Sequence, residues 1–174
     1  MLQDIEGRAT VDYMLRTAQQ NQMALTSLAD QKANIVLGLS FLLTTLTATR
    51  FAQGEFPPAL LMLLVSSIAA SLFALAALIP SSSVVRRPPA KEGAPALNPL
   101  FFGGIAAFDY PDYLVRMTEV MRSNASVYDV IIADLHAGAL ALRRKYLWLR
   151  YSYVALMTGL ALSGMTWLAL YLTA

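Results

Sequence analysis

The chain has 174 residues, of which 57% are hydrophobic and 14% are charged, and its mean hydropathy is +0.53. Soluble domains average about 45–50% apolar and about 25% charged residues, so this composition excludes a disordered chain and argues against a water-soluble monomer. A net charge of +2 is too small to indicate a nucleic-acid partner. With no cysteine and one histidine, we expect no metal and no cofactor.

Residues 1–32 are predicted to form one cytoplasmic helix. They lack the basic start and unbroken apolar core of a signal peptide, so we expect them to remain in the mature protein. Apolar or small residues recur at steps of three and four, and Asn21 completes the pattern formed by Val11, Met14, Ala18, Leu25 and Leu28. Such a heptad seam indicates a coiled coil in which the polar residue sets the register. An amphipathic helix packed on a neighbouring helix is the alternative.

Three segments carry no charge, residues 33–49, 56–85 and 151–174, and we predict transmembrane helices at 33–52, 58–79 and 149–172. The first segment is a few residues short of a span, but the Arg50 side chain can snorkel and Phe51–Ala52 extend the apolar surface. A hydrocarbon core of about 30 Å needs about 20 helical residues. Prolines 57 and 58 fit the start of the second span, where a missing N–H is tolerated, and Pro80 fits its end.

The basic residues predict the orientation of these spans. Of the 13 Lys and Arg residues, only Arg50 lies in the short loop between the first two spans. Because cytoplasmic loops are enriched in Lys and Arg, we expect the N-terminus and the region between the second and third spans to face the cytoplasm.

Residues 80–110 are predicted to form an irregular cytoplasmic connector, since they are rich in Pro, Ser and Ala and contain the turn signal Asn98–Pro99 and the pair Gly103–Gly104. Phe101 and Phe102 lie in this loop. Either they pack against the helices or dip into the membrane interface, or they form a platform on which a nucleobase stacks.

Residues 111–148 are predicted to form a second cytoplasmic helix, with Asp109 as its N-cap and Pro111 in its first turn. No proline follows Pro111, so we expect this helix to continue without interruption into the third span. The predicted fold is therefore an all-α integral membrane protein, in which three transmembrane helices carry a two-helix cytoplasmic stalk.

Catalytic motifs are missing from the sequence, and we predict that the chain is not an enzyme. There is no P-loop, no G-x-S-x-G and no H-E-x-x-H. His136 and Asp134 are two residues apart and point to different faces of a helix, so a structural or interfacial histidine is the better interpretation. An intramembrane enzyme is disfavoured because the predicted spans carry no charged residue in their interior, Arg50 and Arg150 being near the span ends.

Charged residues gather next to the first and third spans. The run Arg143–Arg144–Lys145 either attracts anionic lipids, at about 1 kcal/mol per basic residue, or contributes to a phosphate-binding pocket. Nearby acidic residues slightly favour the pocket, although they could simply pair with Lys32 and Lys145. The candidate pocket comprises residues from the two helix bases and the connecting loop: Asp30, Lys32, Asn34, Asn98, Phe101, Phe102, Asp134, Arg143, Arg144 and Lys145.

Hydroxyl side chains form a stripe on the first span, at Ser40, Thr44 and Thr47. Small or hydroxyl residues also occur in the other spans, at Ser67, Ser71, Gly159 and Ser163. Such positions usually allow helices to approach closely and to hydrogen-bond across their interface. The alternative is a water-filled pore, which three spans cannot enclose alone and which would require self-association.

Three segments together resemble a known family. They are Ala29-Asp30-Gln31-Lys32-Ala33-Asn34, then Asn98-Pro99-Leu100-Phe101-Phe102-Gly103, and lastly Asp134-Leu135 with Leu142-x-x-Lys145-Tyr146-x-x-Leu149-Arg150. In order and spacing the chain resembles the transmembrane effectors of bacterial Pycsar anti-phage systems, the PycTM family, from about residue 10 to residue 172.

The resemblance implies a bacterial inner-membrane effector, functionally linked to a pyrimidine nucleotide cyclase that makes cyclic CMP or cyclic UMP on infection. The effector then impairs the inner membrane, and the infected cell stops growing or dies. On this hypothesis the candidate pocket binds the cyclic nucleotide, and the chain acts in the lipid bilayer as a homo-oligomer. The alternative is a membrane scaffold that anchors a cytosolic signalling partner without forming a pore.

Overall fold

The computed structural model describes residues 9–55, 57–79, 99–100, 102–106 and 108–173. These residues form five α-helices and no strand: α1 (Ala9–Ala52), α2 (Pro58–Leu78), α3 (Phe102–Ile105), α4 (Tyr110–Val120) and α5 (Asn124–Thr173). The predicted all-α class is confirmed. Helices α1, α2 and α5 are each long and apolar enough to cross a membrane.

The chain divides into two compact units, and the division falls inside α1 and α5. The first unit comprises residues 1–25 and 80–142, and the second comprises residues 26–79 and 143–174. The predicted spans lie in the second unit, within α1, α2 and α5, except for residue 79, which directly follows α2.

Small side chains form the interior of the second unit. Helix α2 buries a face of Ala59, Ser67, Ala70, Ala74 and Ala77. The core cluster joins Ala70 and Ala74 to Val36 of α1 and Leu156 of α5. Bulky apolar side chains lie outside instead, among them Phe41, Leu72 and Met165, which are 74%, 60% and 67% exposed. This distribution suits a lipid environment, in which helices associate by close packing and hydrogen bonds. The protein is therefore a membrane protein.

Helix α2 runs antiparallel to both of its neighbours in this unit. The hydroxyls of Ser152 and Ser163 on α5 donate to the carbonyl oxygens of Ala70 and Ala59 on α2, at 2.6 and 2.8 Å. Residue numbers thus rise along α5 as they fall along α2. Between these contacts, a Cβ atom on Gly159 would overlap the side chain of Ser66. The glycine is therefore required for the closest approach of the two helices.

The turn between α1 and α2 is short. Gly54 has a φ of +84°, in the left-handed region that favours glycine. The backbone N–H groups of Gly54 and Glu55 donate to the carbonyls of Phe51 and Arg50, which satisfies carbonyls at the end of α1. Pro57 occupies the N-cap position of α2 and Pro58 begins the helix, as predicted.

Aromatic rings occur near both ends of the predicted span in α5, residues 149–172. Trp148 stacks with Phe73 at a centroid distance of 6.0 Å and contacts Tyr151 edge-on at 6.1 Å. Trp167 stacks on Tyr171 at 5.6 Å. The two tryptophans are 19 residues apart, or about 28 Å along a helix. This spacing matches a hydrocarbon core of about 30 Å, whose two interfaces favour Trp and Tyr.

In the first unit, the beginning of α1 packs on the beginning of α5. Leu15 and Tyr128 are 7% and 5% exposed. The Tyr128 hydroxyl donates to a carboxylate oxygen of Asp12 at 2.8 Å. Ten residues further along α1 and seven further along α5, the Gln22 amide donates to the carbonyl of Leu135 at 3.3 Å. The contact therefore combines apolar burial with polar bonds.

The heptad seam predicted on α1 is not the face that packs within the chain. Met14, Leu25 and Leu28 are 61%, 44% and 47% exposed. The buried face is displaced by about one residue: it includes Leu15 and continues along the helix through Ala29, Ala33, Val36, Ser40 and Thr47. Because small residues permit closer approach than Met or Leu, the Ala and Ser positions determine which face of α1 is buried.

The prediction of one uninterrupted helix from residue 111 into the third span is wrong. Helix α4 ends at Val120 and α5 begins at Asn124. The backbone N–H of Ser126 donates to the Ser123 hydroxyl at 3.2 Å, and this bond caps the new helix. Ser and Asn favour helix starts because their side chains compete for backbone groups. The sequence therefore carries a helix-start signal at Ser123–Asn124, even though the segment contains no proline.

The predicted irregular connector contains a short helix, α3, so that Phe102 begins a helical turn instead of lying in a loop. Asp109 occupies the N-cap position of α4 as predicted, but its side chain makes no capping bond. The Tyr113 hydroxyl donates to the carbonyl of Pro99 at 3.2 Å. The Arg116 guanidinium lies 4.3 Å above the centre of the Phe108 ring.

The contact of Gly159 with Ser66 yields a stability prediction. Gly159→Ala should lower the free energy of unfolding in detergent by about 1–3 kcal/mol, since the added methyl group must displace the Ser66 side chain. Gly164→Ala is the matched control on the same helix, because a Cβ atom there meets nothing within 4 Å. Thermal unfolding followed by circular dichroism measures both variants. Equal melting temperatures would contradict the packing described for α2 and α5.

Candidate functional site

A cross-helix ion pair lies at the beginning of the spans. The Lys145 ammonium on α5 bonds to a carboxylate oxygen of Asp30 on α1, and the two side chains are 24% and 40% exposed. Asp30 lies one turn before the buried face of Ala33 and Val36. Two of the predicted site residues are thus brought together, and both belong to the second unit.

The other predicted residues of the second unit are on its surface. Lys32, Asn34, Arg143 and Arg144 are exposed. The structure gives the three basic side chains no ion-pair partner among the residues that it describes. Asp30 therefore pairs across the helices with Lys145 instead of with its neighbour Lys32.

The remaining members of the predicted pocket are not in the second unit. Asp134 belongs to the first unit, where it is half-buried and has an interaction partner. Phe102 begins α3. Asn98 and Phe101 lie outside the described residues. A single pocket that joins all ten predicted residues therefore stays a prediction.

The charges beside the ion pair define what this surface attracts. Lys32, Arg143, Arg144 and Lys145 carry four positive charges against the single negative charge of Asp30. We call these five residues the juxtamembrane cluster. Exposed guanidinium groups bind phosphate oxygens through two parallel hydrogen bonds, so the cluster is suited to a phosphate group, whether from a lipid or from a nucleotide.

The hydroxyl stripe of α1 faces the helix interfaces of the second unit. The Thr44 and Ser67 hydroxyls are hydrogen-bonded at 2.9 Å across α1 and α2. The Thr47 hydroxyl donates to the carbonyls of Leu43 and Thr44 in its own helix. Ser40 is fully buried, and its hydroxyl has no hydrogen-bond partner in the part of the chain that the structure describes.

Fully buried hydroxyl residues come from all three long helices. Ser40 of α1, Ser67 of α2 and Ser152 of α5 are each 0% exposed. Larger apolar residues are few in this described interior, where Val36, Leu149 and Leu156 are 1%, 3% and 4% exposed. The interface is therefore held by close approach and by hydroxyl bonds, which parting of the helices would make accessible to water.

Metal and nucleophilic chemistry finds no support in the described residues. No group of three or more His, Asp or Glu side chains within the described ranges is placed to hold a metal ion. His136 is exposed on α5. The chemistry that the described arrangement offers is a basic surface that can bind an anion.

Sequence reasoning missed the polar contacts of the first unit. Asp12, Gln22 and Tyr128 were not predicted as partners, although they join α1 to α5. A weak signal existed, because Leu15, Gln22 and Ala29 recur every seven residues along α1. It was masked by the more apolar face that begins at Met14.

The unpaired hydroxyl of Ser40 predicts an unusual response to substitution. Ser40→Ala should raise the free energy of unfolding by about 1 kcal/mol, since a buried hydroxyl without a partner is unfavourable. Ser67→Ala should lower it by about 0.5–1 kcal/mol, because its bond to Thr44 is lost. Thermal unfolding in detergent distinguishes the two variants. A loss of stability in both would contradict the environment described for Ser40.

The ion pair of Asp30 and Lys145 is tested with a double-mutant cycle of Asp30→Asn, Lys145→Gln and the combined variant. Partly exposed pairs contribute up to about 1 kcal/mol, so we expect a coupling energy near that value. The matched control is a second cycle, in which Lys32→Gln takes the place of Lys145→Gln. The Lys32 side chain makes no ion pair within the described residues. Strictly additive effects for Asp30 and Lys145 would show that the pair contributes nothing to stability.

Comparisons with known proteins agree with the membrane architecture. The family model PycTM, described as a Pycsar effector protein domain, matches residues 13–173. The chain is similar to the Pycsar effector protein PtPycTM of Propioniciclava tarda, with 26% identity over 153 residues, which cover 83% of this chain and 76% of that relative. No solved structure matches the chain.

Proposed function

The chain belongs to the PycTM family of Pycsar effector proteins, and from this premise we propose that a cyclic pyrimidine nucleotide switches it from a closed to a membrane-permeabilising state. Membership makes the chain a membrane effector of anti-phage defence that is linked to a cyclase and its cyclic nucleotide signal. The proposal concerns the ligand, cyclic CMP or cyclic UMP, and its effect on the bilayer.

The observation that carries the proposal is the ion pair of Asp30 and Lys145 within a basic surface. A cyclic nucleotide brings one phosphate, which offers Lys145 a competing anionic partner. Arg143 and Arg144 precede Lys145 on the same helix and are exposed, so they are available to bind the same phosphate. Binding there would favour a state in which Lys145 leaves Asp30, and the contact between α1 and α5 at this level would loosen.

The hydroxyl-lined interior supports the second half of the proposal. Parting of the helices would expose Ser40, Thr44 and Ser67, which water can hydrogen-bond, together with a core cluster in which only Val36 and Leu156 are larger than Ala. Three helices cannot enclose a channel, so the open state would be an assembly of several chains in the bacterial inner membrane. The amino-terminal ends of α1 and α5 would then lie in the cytoplasm, where the nucleotide is made.

The energy required is within reach of an assembly. Reversing a closed-to-open ratio from 99:1 to 1:99 needs about 5.5 kcal/mol of differential binding. One phosphate held by charged hydrogen bonds, at about 1.5–3 kcal/mol each, contributes part of this amount at each site. Several sites that act on one assembly can supply the rest.

Leakage of a trapped dye from vesicles that contain the purified protein tests the proposal. Cyclic CMP or cyclic UMP should accelerate leakage at least tenfold. The comparison ligand is 5′-CMP, whose phosphate is more highly charged and is not closed into the 3′,5′-cyclic ring. Arg143→Gln combined with Arg144→Gln should raise the half-maximal nucleotide concentration at least tenfold, equivalent to about 1.4 kcal/mol. Arg122→Gln, in the first unit, is the control and should respond normally.

Two results would contradict the proposal. If neither cyclic nucleotide changes the leakage rate, nucleotide-dependent opening is contradicted, and a membrane scaffold that docks a cytosolic partner is favoured. Leakage that depends on anionic lipid, with nucleotide having no effect, assigns the juxtamembrane cluster to lipid headgroups. Vesicles made with and without anionic lipid therefore form the two arms of the experiment.

A further inference from the structure

Within the first unit, helix α1 exposes most of the heptad seam predicted from the sequence. Met14, Ala18, Asn21 and Leu25 are exposed, whereas Val11 is half-buried. We call the four exposed residues the outer seam. Met14 and Leu25 are 61% and 44% exposed. Their regular spacing of three and four residues is typical of helices that pack along a seam with another helix.

A different face of α1, next to the outer seam, contacts α5. Leu15 is buried, and Gln22 donates to the carbonyl of Leu135. Gly138 leaves room for the Gln22 side chain, since a Cβ atom there would overlap it. Helix α1 can therefore keep its contact with α5 while the outer seam binds a further helix.

Lipid is not the occupant of the outer seam. Asp30 and Lys32 lie between it and the uncharged span that follows. From Met14 to Leu25 the seam extends for about 16 Å of helix, and all of it precedes these charges in the sequence. Apolar side chains arranged in this way outside a bilayer indicate a protein partner.

We propose that the outer seam binds the outer seam of a second copy of this chain, in parallel. Copies inserted in one membrane share their orientation, so the same residues of α1 meet at the same height. Asn21 then faces Asn21 of the second copy, and an amide that offers both donors and an acceptor is complementary to itself. A polar residue in an otherwise apolar seam sets register and oligomer state in coiled coils, at a cost in stability.

The inference deepens the proposed function, because assembly is the step by which three-span chains would open the membrane. It assigns that step to the helices outside the span. Its test reads assembly directly, so the failure of one proposal is distinguishable from the failure of the other.

The absence of cysteine makes the test direct, because any introduced thiol is the sole thiol of the chain. Asn21→Cys and Ala18→Cys place it in the outer seam. Met23→Cys is the matched control: Met23 is 65% exposed, but it lies two residues from Asn21 and points to another side of the helix. Full-length variants in vesicles are oxidised, and disulfide-linked dimers are measured on non-reducing gels.

We expect dimers to form at least tenfold faster through residue 18 or 21 than through residue 23. Equal rates at all three positions, or no dimer through the seam, would overturn the inference. Asn21→Asp should lower the assembled fraction measured by single-molecule photobleaching at least tenfold, because like charges would meet at the seam. Because Asn21 is exposed, the Asn21→Asp variant should keep the helical content of the unmodified protein, and circular dichroism measures this content.

Dye leakage from the same vesicles separates the two proposals. If dimers form through the outer seam but leakage does not depend on nucleotide, the inference of self-association is supported and the proposed nucleotide switch is contradicted. Nucleotide-dependent leakage that Asn21→Asp leaves intact, with no dimers through the seam, upholds the switch and overturns the seam.

Discussion

The structure depends on the absence of a hydrophobic driving force between helices in lipid. Hydrocarbon tails are as apolar as Leu or Phe side chains, so burying such side chains between helices gains little. Close approach and hydrogen bonds must hold the helices together instead. The second unit follows this constraint: Ala70 and Ala74 lie inside, Ser152 and Ser163 donate to carbonyls of α2, and Phe41 and Met165 lie outside.

This constraint also determines which face of α1 is buried. The small residues Ala33 and Ser40 must lie at the interface, and their helical repeat continues to Ala29 and Leu15 at the other end of the same helix. The more apolar positions, such as Met14, are consequently left exposed. Side chains that look like a core in the sequence are thus left on the surface, and they form the outer seam for which a second copy is proposed.

For function, the same constraint makes the packed state easy to change. An interior of Ala, Ser and Thr can exchange its helix contacts for water at a lower cost than an interior of Leu and Phe. A partly exposed ion pair of Asp30 and Lys145 is also modest in strength. Under the proposed function, such a bundle would remain closed until a small anionic signal accumulates and would then open.

The sequence by itself determined the helical class, the three spans, the start of α2 at Pro58 and the family, because these depend on local composition, proline chemistry and short motifs. It did not determine the end of α4, since the capping signal of Ser123 competes with a continuing apolar repeat. Only the tertiary structure decided that Asp30 pairs with Lys145 and that Leu15, not Met14, faces α5. Those choices depend on how closely two helices can approach, and that distance is a property of the pair of helices and not of either sequence alone.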